Sequence, residues 1–350
     1  MRKFSILAKK MLKKTAVIAL GLIMALQMGG CGQKSAGTAA GAAGTQAAAA
    51  KKSAAVENPT AGDSTAAKNT AASASEAAAD AGTQSMEMTA AEAEPVSTEP
   101  EEIYLDPDWE YAYESEINSG CAVLYRASEN RKDIVIGVNA GHGTEGGAGE
   151  RTYCHPDHSP KTTGGSTAAG SETATAVSGG MTFYDGTPER EATLQVAQAL
   201  RDLLLESGYD VLMLRDGDDV QLDNIARTVI CNNTADCHIA IHFDGDGLGY
   251  DKGAFYISVP EGIKDMDPVD DNWEACDALG ENLVEGLSGE GVDIHGGGSM
   301  AIDLTQTSYS TIPSVDIELG NQASDLSSES IEQYAEGLLQ GIEMWSTQQE

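Results

Sequence analysis

The stretch Asp133-Ile134-Val135-Ile136-Gly137-Val138-Asn139-Ala140-Gly141-His142-Gly143 is an unbroken apolar run that ends in a glycine turn carrying a histidine. A run apolar on both pleat faces reads as a strand buried on both sides, the kind a helix-covered parallel sheet requires. Beyond it, helix and strand signals alternate. Thr187-Pro188 opens a helix, with threonine suited to the N-cap and proline to the first helical position, and Leu194, Ala197, Leu200 and Leu204 form its buried stripe before Gly208 stops it. Strands are expected over 209–214, 237–242, 254–259 and 315–319, and helices over about 221–233, 273–287 and 328–345. The order predicts an α/β fold with a central, largely parallel β-sheet flanked by helices, in one domain over residues 133–347. Residues 101–132 are expected to extend that domain at its N-terminus.

The first hundred residues cannot join this core. No aromatic residue lies between Phe4 and Tyr104 and no leucine between Leu26 and Leu105, and the stretch 32–100 is mostly Ala, Ser, Thr, Gly and Glu. Too little apolar surface is available to offset the entropy of ordering such a chain, so 31–100 reads as a disordered tether, with a coil reach of roughly 45 Å. Ahead of it, six cations (Arg2, Lys3, Lys9, Lys10, Lys13, Lys14) precede an apolar run over 16–26 and then Met28-Gly29-Gly30-Cys31. This is the layout of an export signal over 1–30, and the run falls short of the roughly twenty residues that span a bilayer. Small residues directly before a cysteine resemble the bacterial lipoprotein processing site, which implies lipidation at Cys31 and a chain anchored to the membrane on its extracytoplasmic side.

Charge and cysteine content narrow the partners. Removing residues 1–30 takes away six cations and no anions, moving the formal net charge from -34 to -40. So acidic a protein is expected to bind no nucleic acid and no anionic lipid surface, both of which need basic patches. Five cysteines remain after Cys31, namely Cys121, Cys154, Cys231, Cys237 and Cys276. An odd number excludes complete internal pairing, and buried free thiols are the expectation.

Chemistry concentrates at element ends. His142 and His242 lie at the carboxyl ends of their expected strands, Glu318 lies near the end of its own, and Glu189 opens a helix. Ligands of open α/β sheets gather at that end. Two histidines and one carboxylate suit Zn²⁺ with a fourth position left for water, and a separate glutamate suits a base. No HExxH pair is present, so spacing alone leaves the choice open between a metal site and ordinary strand-end residues.

Four blocks taken together resemble the zinc-dependent N-acetylmuramoyl-L-alanine amidases (type 3 catalytic domain), which hydrolyse the amide between the muramic acid lactyl group and the first stem alanine of peptidoglycan. Ile134 to Gly143 is similar to the family's opening strand and first histidine. Glu189-Arg190-Glu191-Ala192-Thr193-Leu194-Gln195-Val196-Ala197 is similar to the helix that begins with its glutamate ligand, in a register that selects Glu189 over Glu191. Ala240-Ile241-His242 resembles the block of the third ligand, and Ile312 to Gly320 the strand that ends in the catalytic glutamate. The resemblance implies Zn²⁺ held by His142, Glu189 and His242, Glu318 as the catalytic base and acid, and peptidoglycan as substrate. Arg227 and His295 are weaker candidates for substrate contact. Arg215 and Arg227 are expected to pair with Asp216, Asp218 and Asp223. The sequence leaves open whether a protein activator takes part.

Three positions depart from the family pattern: Asn139 replaces an aspartate, Asp244 an asparagine and Asn321 a phenylalanine. They keep two other readings in view, a catalytically weak peptidoglycan-binding lipoprotein and another zinc peptidase of the cell wall. The segment 144–186 is a long insertion containing Cys154-His155-Pro156-Asp157-His158, expected to be a polar loop rather than a second metal cluster. Its Gly- and Ser-rich part is expected to form a mobile rim that narrows access to the site.

Overall fold

A computed structural model describes residues 99–349. The export signal, Cys31 and the tether lie outside these residues. Ten strands are named in chain order: β1 Glu101–Tyr104, β2 Cys121–Tyr125, β3 Val135–Ala140, β4 Arg151–Tyr153, β5 Thr173–Thr175, β6 Asp210–Met213, β7 Cys237–Asp244, β8 Ala254–Ser258, β9 Ile294–Ala301 and β10 Ser314–Asn321. The helices are α1 Glu189–Glu206, α2 Asn224–Thr234, α3 Trp273–Gly289, the short α4 Thr305–Ser308 and α5 Ser328–Thr347.

Eight strands form one sheet in the order β1-β2-β6-β3-β7-β10-β8-β9, and β4 pairs with β5 in a separate hairpin. The four central strands, β6, β3, β7 and β10, run parallel, as expected of unbroken apolar runs. Ile136, Val138, Ile239, Ile241, Val315 and Ile317 pack from these strands against Val196, Leu200 and Leu204 of α1, Leu279 and Leu283 of α3, and Leu338 and Ile342 of α5. Leu212, Leu214, Ala226 and Ile230 form a second apolar layer that includes α2.

The outer strands are where the structure departs from the sequence expectation. Residues 101–132, expected only as an extension, supply β1 and β2, which continue the sheet in antiparallel sense beyond β6. Ile294 to Ala301, where no strand was expected, forms the edge strand β9 beside β8. Helix α1 also starts one residue later than expected. Pro188 occupies its N-cap and Thr187 makes no cap, while the Glu189 amide donates to the Met181 carbonyl at 3.0 Å. All five cysteines from Cys121 onward are free thiols, and four of them are buried.

Candidate functional site

The carboxyl ends of β3, β7 and β10 lie side by side, and each delivers one side chain to a common point. His242 and Glu318 are paired across β7 and β10 in register, while His142 follows the end of β3. The turn that carries His142 is left-handed at that residue, with φ 66°. Gly141 before it cannot be replaced, since a Cβ there would stand 2.3 Å from Cε1 of the His242 ring. The glycine thus lets two imidazoles approach edge to face, with ring centroids 4.6 Å apart.

Glu189 closes the group from the first turn of α1. Its Oε1 lies 2.8 Å from His142 Nε2 and 3.1 Å from His242 Nδ1, and those two nitrogens are 3.1 Å apart. Burial alone would raise the Glu189 carboxyl, but hydrogen bonds from His142 and His242 and their charge hold it well below the usual carboxylate range. Burial pulls the His242 imidazole down, yet Asp316, Glu189 and Glu318 push it up to about 10. The pocket therefore favours positive charge at the point where the three side chains meet.

The donor set fits a divalent cation. His142 Nδ1 lies 2.9 Å from the Ser178 carbonyl, which can only accept, so Nδ1 carries a proton and Nε2 is the nitrogen turned toward Glu189 and His242, which would give its lone pair to an ion in place of the hydrogen bond to Glu189. Glu189 is steadied by the Met181 amide, which donates to Oε2 at 2.8 Å, and by the Phe243 amide, which donates to Oε1 at 3.1 Å. Among the described residues no other trio of His, Cys, Asp or Glu converges in this way. Two carboxylate oxygens beside the trio, Glu318 Oε2 and Asp316 Oδ1, are buried without any hydrogen-bond partner. Buried polar atoms are rarely left so, and a cation with its water is the kind of group that would satisfy them.

The family model for N-acetylmuramoyl-L-alanine amidases matches residues 136–343, which takes in all four of these positions. The chain belongs to this amidase family. The crystal structure of the N-acetylmuramyl-L-alanine amidase Ami1 from Mycobacterium smegmatis superposes with a TM-score of 0.52 at 19% identity, covering 63% of this chain and 100% of that one. The apo form of Ami1 from Mycobacterium abscessus gives 0.50 at 21% identity, over 61% and 99%. At these identities the likeness shows the shared fold. Among curated proteins no sequence matches.

Within this amidase, hydrogen bonds account for each departure from the family pattern. The Asn139 Oδ1 accepts from Arg227 at 3.0 Å while its Nδ2 donates to His238 Nε2 at 3.1 Å, a double role that an aspartate, which only accepts, would not fill. Asp244 does not leave an uncompensated charge near the trio, because the buried Lys252 ammonium bridges it to Asp246, the latter at 3.1 Å. Asn321 is fully buried and donates to Asp246 at 3.0 Å and to the Tyr250 carbonyl at 3.0 Å, fastening the β7–β8 loop to the end of β10.

Arg215 and Arg227 do not pair with Asp216, Asp218 and Asp223 as expected. Both are 1% exposed, and both donate to the backbone of the turn before and at His142. Arg215 reaches the Ala140 and Gly141 carbonyls at 3.1 and 2.9 Å, and Arg227 the Ala140 and His142 carbonyls at 3.2 and 2.7 Å. Burial lowers Arg227 to about 9, with the Arg215 charge adding to it, so the guanidinium stays protonated at neutral pH. This places Arg227 beneath the turn that carries His142, where it offers no free face to a substrate. His295, the other weak candidate, is the second residue of β9 and packs its ring 5.5 Å from that of Phe255, two strands away from Glu318.

The insertion touches the site directly, a role its composition did not announce. Besides the bonds from Ser178 and Met181, Gly180 lies so near that a Cβ would stand 2.9 Å from Glu189 Oε2, at a φ of +77°. Farther along the insertion, Cys154, His155 and His158 scatter to separate partners. His155 is fully buried between Ser159 Oγ at 2.8 Å and Asp303 Oδ1 at 2.9 Å, while His158 meets Glu114 at 2.9 Å and stacks on Tyr153. The segment expected to form a mobile rim is thus bonded at one end to Asp303 through His155 and Thr162, and at the other to His142 and Glu189 through Ser178 and Met181.

Proposed function

We propose that the protein is a zinc-dependent hydrolase that cleaves the amide between the lactyl group of N-acetylmuramic acid and the L-alanine of the stem peptide, acting outside the cytoplasmic membrane and anchored through lipid on Cys31. The observation that supports it most is the pairing of the trio with Glu318, whose unpartnered Oε2 is buried one strand from His242. His142, Glu189 and His242 would hold the ion. When bound, Zn²⁺ supplies a Lewis acid for the scissile carbonyl and lowers the pKa of water toward neutrality.

The protein's own residues do the rest. Burial, with the charges of Asp316, Glu189 and Asp244, pushes the Glu318 carboxyl well above its usual range, although the His242 charge opposes the shift. Paired in register with His242 and with Oε2 buried and unpartnered, Glu318 is placed to take a proton from the attacking water and return it to the departing alanine nitrogen. Arg215 and Arg227 hold the carbonyls of residues 140–142 and so fix the direction in which His142 presents Nε2. Among the described residues no helix is long and apolar enough to cross a membrane. Digestion of purified peptidoglycan, with the products resolved by mass spectrometry, tests the reading. Intact stem peptides with a free L-alanine amine are expected, and shortened stems would point instead to a peptidase. Glu318→Gln should lower turnover about 10²–10⁴-fold while the zinc stoichiometry stays at that of the wild type.

A further inference from the structure

Asp316 lies on β10 two residues before Glu318, so the period-two alternation of the strand sets both carboxylates on one face. Its Oδ2 is 3.7 Å from His242 Nε2, the ring nitrogen that points away from Glu189 and His142. The Asp316 side chain is largely enclosed, with 14% of its surface exposed, and its Oδ1 has no hydrogen-bond partner. Burying a carboxylate is costly unless something offsets it, and a leucine would fill the same space on a strand otherwise built from Val315, Ile317 and Leu319.

Resting on the reading of the trio as a zinc site, we propose that Asp316 is a positioning residue for His242. It faces Nε2–H, selects the tautomer with the proton on that nitrogen, and so presents the Nδ1 lone pair to the metal. The parallel with His142 is close. There the Ser178 carbonyl keeps the proton on Nδ1 and frees Nε2, so the two imidazoles use opposite nitrogens, each held by an acceptor behind it. A ring that binds through Nδ1 brings the metal nearer its own backbone, and without an acceptor behind Nε2 it would be free to flip. At 3.7 Å the contact is longer than a hydrogen bond, and we expect it to shorten when an ion takes up Nδ1.

The test compares wild type, Asp316→Asn and Asp316→Leu in three measurements: zinc affinity by competition with a chromophoric chelator, the melting temperature of the metal-free proteins, and the ¹⁵N shifts of His242 with zinc bound. The proposal expects Asp316→Leu to bind zinc about 10–100-fold more weakly and Asp316→Asn, which keeps an acceptor without the charge, to fall between. The metal-free Asp316→Leu protein should melt at the same temperature as wild type or higher, because an unpartnered buried carboxylate has gone. Opposite or unlinked changes in affinity and stability are what a merely structural residue would not produce. The His242 shifts should show Nε2 protonated and Nδ1 bound in wild type. Equal affinity in all three proteins, or binding of zinc through Nε2, overturns the proposal while leaving the zinc reading intact. A wild-type protein that binds no zinc overturns both.

Discussion

Two buried histidine–carboxylate groups in this amidase look alike in composition and differ in what they leave undone. At His155, both ring nitrogens have one partner each, Ser159 and Asp303, and Asp303 also accepts from the Thr162 amide at 2.7 Å and hydroxyl at 3.0 Å. Nothing there is left over. At the trio, the Ser178 carbonyl holds the outer nitrogen of His142, while the inner atoms of His142, His242 and Glu189 all face one another and two neighbouring carboxylate oxygens go unpaired. A closed set of bonds is a fastening, whereas an open set that converges is a place for something else.

Alanine substitution at the two groups should break this contrast cleanly if it is wrong. His142→Ala should abolish zinc binding, read as metal per protein after dialysis, and lower turnover at least as far as Glu318→Gln does. His155→Ala should leave zinc stoichiometry unchanged and instead destabilise the fold by about 3–5 kcal/mol, since it strands the Asp303 carboxylate in the interior. Denaturant melts of the metal-free proteins measure that loss. If His155→Ala lost zinc as His142→Ala does, the insertion's ion pair would have to be counted as part of the metal site.

A smaller effect probes where the two regions join. Gly180→Ala places a Cβ 2.9 Å from Glu189 Oε2 and forces an L-residue into φ +77°, which costs roughly 1–2 kcal/mol. Because the clash falls on a ligand, zinc affinity should drop about tenfold with only a modest change in melting temperature. The same geometry alters how the insertion is to be dissected. Deleting all of 144–186 would remove Ser178 and Met181 and cost metal, so a shortened variant lacking only 164–169, which spares Ser159, Thr162 and Thr163, is the one that tests access to intact peptidoglycan against access to fragments.

Legibility in the sequence divides along the same line. The parallel strands stood out because buried strands are continuous apolar runs, while the four principal residues were singled out by the resemblance of their blocks to the amidase family, since spacing alone left the choice open. Strand β9 escaped because Gly296-Gly297-Gly298 carries the composition of a loop, and at an edge the backbone ladder alone makes it a strand. Arg215 and Arg227 were assigned to nearby aspartates in sequence, but Asp216 is taken by Tyr125, Gln198 and Arg201, leaving the two guanidiniums to backbone carbonyls that no sequence pattern marks. The supports from Ser178 and Met181 come through main-chain atoms and are silent in the same way. Asp316 was passed over as well, although a polar residue between Val315 and Ile317, two before Glu318, is a signal that could have found it.

The smallest predicted effect separates the two carboxylates by pH. Burial would raise Asp303, but hydrogen bonds from His155 and Thr162 hold it below its ordinary value. A carboxyl whose folded pKa is depressed stabilises the protein above its unfolded pKa, about 3.9, and that contribution disappears as pH falls through the folded value. Glu189 is held low as well, so the acid unfolding of wild type alone mixes both groups. The difference between wild type and Asp303→Asn isolates the fastening, because the Glu189 contribution is common to both proteins and cancels. Measured on metal-free protein by urea melts at successive pH values from about 5 downward, the stability advantage of wild type should shrink as the pH is lowered through about 4 and beyond. An advantage that stayed level down to about pH 2 would mean that Asp303 contributes by shape and hydrogen bonding rather than by its charge, and the contrast between a charged fastening and an open metal site would narrow accordingly.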